Sequence, residues 1–309
     1  VLLHGLGALP RWVERDRLGG PSVYYGPAPE GFPEQTIVVP LHDETTAYFA
    51  SNDIYPVDRV HWVYHAGQRV PVLFGRPEAD DLVASAFFWL SGWQERTIVA
   101  RDPYGRFPYE ASLQASWGTA GEPAVDAYRQ VLADRLKAAG FRADHPTWGG
   151  AGWAFCPTHD IDYIRKWRPG IVYREAVEYP LLNRRRVPAG ARWRRLVAAA
   201  RQAVRRGDPF RSALERMIDE AEARGGRATY FFKAGAHGPH DVAYRLETTF
   251  LRGIFRRLRD TGFEIGLHPS FYAHDHGPRL QEERDRLRRA YGSPIVSVRQ
   301  HYLRYDPAI

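Results

Sequence analysis

From residue 153 onward, short apolar runs alternate with amphipathic helical stretches, and this alternation limits the fold more than any other feature. The apolar runs cover residues 153–157, 228–232, 263–268 and 294–303. Between the first two, Leu214, Met217, Ile218 and Ala221 share one helical face, preceded by a Ser212/Glu215 capping box and stopped at Gly225-Gly226. Phe250, Leu251, Ile254, Phe255 and Leu258 form the next face, which ends at Gly262. A further helix is predicted over 278–291, with Gly292 as its stop. Strands alternating with helices predict a parallel sheet or barrel, with its site at the C-terminal ends of the strands.

Residues 1–150 read differently, as a smaller mixed α+β domain. Short strands are predicted over 36–40, 60–65 and 70–74, and helices over 82–94 and 122–139, the second stopped at Gly140. Turn residues fill 101–106. No catalytic constellation appears in this half. The Gly-rich stretch 147–152 is the expected boundary, so the second domain is 151–309, with a basic insertion over 164–211.

The strand ends carry the chemistry. The run 153–157 leads into Cys156-Pro157-Thr158-His159-Asp160-Ile161-Asp162. Carboxylates spaced i and i+2 on an extended backbone face the same way, and two like charges held together call for a cation, a proton or solvent. His268 ends the third predicted strand. Arg299 and His301 lie on the fourth, again i and i+2. In a parallel array these ends converge. One Asp with two His would give a divalent metal three protein ligands and leave open positions, as a catalytic site requires. Taken singly, each histidine reads better as a packed or surface residue.

At these residues the chain resembles the polysaccharide deacetylase superfamily, metal-dependent carbohydrate esterases of the NodB-homology fold. Thr158-His159-Asp160-Ile161-Asp162 looks like its first motif, Gly266-Leu267-His268-Pro269-Ser270 its second, and Arg299-Gln300-His301-Tyr302-Leu303-Arg304 its third. The N-terminal half resembles an uncharacterised domain that precedes some members. The resemblance implies an α/β fold, an irregular (β/α) barrel preceded by the smaller α+β domain. Further strands, and the histidine that serves as general acid, would fall beyond Ile309, so the barrel is expected to be incomplete at its C-terminus. It also implies hydrolysis of acetyl groups from an N-acetylated (or O-acetylated) sugar or polysaccharide. Asp160 would be the general base and Arg299 its orienting partner. Asp162 and His268 would hold a divalent ion, expected to be zinc.

The family's second motif carries another histidine where this chain has Tyr272. A phenol with a pKa of roughly 10 is a poor substitute ligand at neutral pH. His301, His274, His276 and His159 are the candidates for the third ligand, and His301 is preferred for its facing. A catalytically impaired glycan-binding or polysaccharide-assembly protein on the same fold is the alternative. A metal-dependent phosphohydrolase is a third reading.

Composition sets the remaining expectations. The hydrophobic share of 44% suits a folded chain rather than a disordered one. No apolar run is long enough to span a membrane. The single cysteine, Cys156, excludes an intrachain disulfide and reads as a buried small hydrophobe. It is compatible with a reducing, cytoplasmic location. The net charge of +7 is concentrated in residues 184–206, which hold nine Arg and no acid. That stretch reads as a solvated, partly helical insertion, with nucleic acid, anionic lipid or acidic glycan as conceivable partners. No nucleic-acid motif accompanies it, so no such partner is expected. Oligomeric state is not legible.

Overall fold

A computed structural model describes residues 22–27, 36–141, 147–175, 177–178, 188–204 and 207–306. Residues 184–187, 205 and 206 of the basic run lie outside these. The chain divides into two compact units, Val1–Ala154 with Tyr305–Ile309, and Phe155–Arg304. The described residues are mixed α/β with small sheets. No described helix is long and apolar enough to cross a membrane.

In the first unit, β1 (Ser22–Gly26) pairs in parallel with β2 (Thr36–Pro40), followed by α1 (Asp43–Ser51). A hairpin joins β3 (His61–His65) to β4 (Gln68–Val72). Its two-residue turn puts Ala66 at φ 49° and Gly67 at φ 79°, the left-handed pair that matches the twist of two antiparallel strands. A two-residue pair, β5 (Gly75–Arg76) with β6 (Ala79–Asp80), precedes α2 (Leu82–Leu90). The helix predicted over 82–94 is in fact two. Gly92 takes φ 65°, closes α2 after Ser91 and starts α3 (Trp93–Thr97) in a new direction. Asp81 caps α2 by accepting from the Ala84 amide at 2.8 Å, and its burial raises the carboxyl pKa above the usual range. The short α4 (Leu113–Trp117) and the longer α5 (Ala124–Ala138) complete the unit. α5 buries Tyr128, Leu132 and Leu136 along one face.

The second unit is built on three parallel strands in the order β7 (Thr158–Ile161), β8 (Thr229–Lys233), β9 (Glu264–His268). Between β7 and β8 come α6 (Pro169–Tyr173), α7 (Ala189–Val204) and α8 (Pro209–Ala223). Between β8 and β9 comes α9 (Thr249–Asp260), and α10 (Gly277–Tyr291) follows β9. α9 buries Leu251, Ile254, Phe255 and Leu258, each contributing about 1.5–3 kcal/mol relative to exposure. Thr248 caps this helix, its hydroxyl accepting from the Leu251 amide at 3.2 Å.

Alternation along the strands sorts the two faces. His159, Ile161, Tyr230, Phe232, Ile265 and Leu267 point one way, the last five into the main core with α8, α9 and α10. Thr158, Asp160, Phe231, Lys233, Gly266 and His268 line the other face, where the chemistry collects. Gly266 is required there. A Cβ on it would lie 2.5 Å from the Phe231 ring and 2.5 Å from Ser297 Oγ.

Four further expectations are corrected. The first strand is not 153–157 but Thr158–Ile161, five residues later. Trp153 and Phe155 are apolar yet solvent-exposed, so hydrophobicity alone misplaced the strand. Cys156 is exposed rather than buried. The fourth strand, 294–303, reduces to a single parallel bridge from Val298 to Leu267. Tyr302 (φ 61°) and Leu303 (φ 51°) adopt left-handed backbone, which ends any extended run. The cap of α8 is Asp208, not Ser212, with Pro209 at the first helical position where its missing N–H costs nothing.

Candidate metal centre

Most components of the site sit at the C-terminal end of a strand of the second unit, or on the segment bridged to β9. Asp162 is one residue past β7, while Lys233 and His268 are the last residues of β8 and β9. Arg299 and His301 follow the bridge at Val298, which the Arg299 amide extends by donating to Leu267 O at 2.9 Å.

Asp162, His268 and His301 come together, with one ligand atom from each lying within 4.8 Å of the others. Asp162 Oδ1 is 3.4 Å from His268 Nε2 and 3.3 Å from His301 Nε2. The imidazoles are nearly perpendicular, with ring centroids 4.9 Å apart. Both are buried, at 2% and 8% exposure. The nearby His268 and His301 rings hold the Asp162 carboxyl far below the usual carboxylate range, against the opposing effect of burial. Yet Oδ1 is itself buried and has no hydrogen-bond partner. A buried charged oxygen without a partner is costly, and a cation would satisfy it.

The outer nitrogens fix the tautomers. His268 Nδ1 lies 2.6 Å from the Arg299 carbonyl oxygen, which can only accept. Nδ1 therefore carries the proton, and Nε2 presents a lone pair to the cluster. His301 Nδ1 donates to Asp241 Oδ1 at 2.9 Å, leaving its Nε2 likewise free for a ligand role. An imidazole whose far nitrogen donates to a carbonyl or carboxylate is the usual form of a metal ligand. Burial draws the His301 pKa down, but the carboxylates of Asp162 and Asp241 beside the ring outweigh this and raise it. Two neutral imidazoles and a carboxylate suit a divalent ion such as zinc.

Asp241 and Lys233 escaped the sequence reading. The Asp241 side chain is fully buried, and its Oδ1 accepts from Lys233 Nζ at 2.7 Å as well as from His301. Lys233 Nζ is also 3.1 Å from His301 Nδ1; both are donors converging on one oxygen. The backbone amides of His237, Gly238 and Phe271 donate to the same carboxylate. Its pKa is lowered despite burial, chiefly by His301 and then Lys233. A lysine closing an apolar strand was the visible hint. Asp241 lies in a loop with no periodicity, so nothing local marked it. An Asp241→Asn variant should weaken metal binding about 10–100-fold, because the His301 ring loses its charged anchor. Isothermal titration with zinc measures this, and an unchanged affinity would restrict Asp241 to a structural role.

Asp160 lies outside the three-residue cluster. Its half-exposed carboxylate accepts from Arg299 Nη1 at 3.2 Å, and Arg299 Nη2 donates to Thr158 Oγ1 at 2.5 Å. The guanidinium carbon stands 4.7 Å from the Phe231 ring centroid. Arg299 thus holds Asp160 with its side chain and His268 with its carbonyl.

The other histidine candidates are placed elsewhere. His159 stacks on Tyr230 at 5.0 Å, and its burial lowers its pKa. His276 caps α10, with Nδ1 accepting from the Arg279 amide. His274 Nδ1 lies 3.4 Å from Asp275 Oδ1. Among the described residues, none of these three joins Asp162 and His268. Tyr272 is partly exposed, its ring edge-on to Phe271.

Residues 20–140 match a family of unknown function (DUF7033), which overlaps the first unit and not the metal centre. No curated protein and no solved structure matches the chain.

Proposed function

We propose that this chain is a metal-dependent hydrolase, related to the polysaccharide deacetylases and built on an irregular (β/α) barrel, that removes acetyl groups from an N-acetylated (or O-acetylated) sugar or polysaccharide. One observation carries the reading: the partnerless Asp162 Oδ1 facing two buried imidazoles whose outer nitrogens are already engaged. Asp162, His268 and His301 hold the ion, for which zinc is the best fit. When bound, the ion polarises the acyl carbonyl and lowers the pKa of water beside it.

Asp160 takes the proton of the attacking water. Its carboxylate is half-exposed, so water reaches it, and the Arg299 contact aims it. The Arg299 carbonyl keeps His268 in its ligand tautomer, so one residue sets both the base and a ligand. A cytoplasmic location belongs to the same reading and rests on the lone free cysteine.

Tyr272, standing where the family has a second histidine, favours one alternative, a glycan-binding protein with impaired catalysis. Zinc titration followed by an acetate-release assay on N-acetylglucosamine oligomers separates the two. Stoichiometric zinc with acetate release supports hydrolysis. Oligomer binding without acetate release selects the alternative. Failure to bind any divalent ion overturns the hydrolase.

A further inference from the structure

The basic segment has no part in the metal centre, and its described portion is a regular helix, α7. At 100° per residue, Trp193, Leu196, Val197 and Ala200 fall along one stripe. Arg194 and Arg201 border it on one side and Arg192 on the other. Trp193 is 69% exposed, Ala200 is exposed, and Leu196 and Val197 are only partly covered. A large aromatic therefore stands in solvent on the apolar side of a helix whose flanks are cationic. On the same helix, Arg195 pairs with Glu175 at 3.6 Å.

From this placement the geometry points to α7 as a docking helix for an anionic lipid surface. Charge complementarity names the occupant, since residues 184–206 carry nine Arg and no acid. The apolar stripe chooses lipid over an acidic polymer. A polyanion would engage the arginines, and its bases or sugars could stack on Trp193, but it would gain nothing from the aliphatic Leu196 and Val197 beside it. An interfacial helix buries such a stripe in the headgroup region while its arginines meet lipid phosphates. Docking brings the chain to a lipid surface, and it stands independently of the proposed hydrolysis.

The test is co-sedimentation of the full chain with vesicles of neutral phosphatidylcholine, with or without about 30 mol% phosphatidylglycerol. The expected result is at least about tenfold stronger partition onto the anionic vesicles, weakened by added salt. Trp193→Ser, and separately Arg192→Glu with Arg194→Glu and Arg201→Glu, should each abolish most of that gain with unchanged thermal melting. Brominated lipid should quench a fluorescence component that Trp193→Phe lacks, a readout that holds even where the charge variant folds poorly. No partition, equal partition onto both vesicles, insensitivity to both sets of substitutions, or retention by heparin but not by vesicles overturns the proposal.

Discussion

Asp160→Asn should lower kcat by about 10²–10⁴-fold, the range of a lost general base, while zinc stays bound at the original stoichiometry. The substitution is nearly isosteric. Its amide oxygen can still accept from Arg299 Nη1, now 3.2 Å from Asp160 Oδ1, so the local arrangement survives. What disappears is the carboxylate that accepts the proton of the attacking water. Asp162, His268 and His301 are untouched, because Asp160 lies outside their cluster. Acetate release and zinc titration on the same preparation give both readouts. Retained turnover would remove Asp160 from the base role, and loss of zinc would move it among the ligands.

The second large effect concerns the choice among histidines. His301→Ala should weaken zinc binding by more than the roughly 10–100-fold typical of an outer-shell partner. His274→Ala should leave the affinity near that of the unsubstituted chain. His301 Nε2 is 3.3 Å from Asp162 Oδ1, whereas His274 turns its Nδ1 to Asp275. Removing a buried ring leaves a cavity beside Lys233 and Asp241, so circular dichroism of the zinc-free proteins must show the fold retained. The reverse order of affinities would place the third ligand in the loop after β9.

Much of the second unit was readable from periodicity. α8, α9 and α10, with β8 and β9, lie where helical spacing and glycine stops put them, because those signals are local to each segment. The errors share one cause, the use of apolar runs as a proxy for pairing. Trp153 and Phe155 are hydrophobic but face solvent, so the strand begins only at Thr158. The segment after α10 looks like a strand yet pairs only at Val298, because Tyr302 and Leu303 turn the backbone left-handed. Alternation still placed Asp160 and Asp162 on one face, with Ile161 buried on the other.

Spacing alone determined the strand–helix order of the second unit, put His268 at the end of its strand and set Asp160 and Asp162 on one face. A side chain's place along its own strand depends on neighbours a few residues away, and these are written in the chain. Which histidine completes the cluster, and what holds it there, was decided only by tertiary packing. His301 reaches Asp241 across 60 residues and Lys233 across 68, while Arg299 reaches Asp160 across 139. Contacts at such separations leave no local period, because they exist only once parallel strands bring their ends to one place.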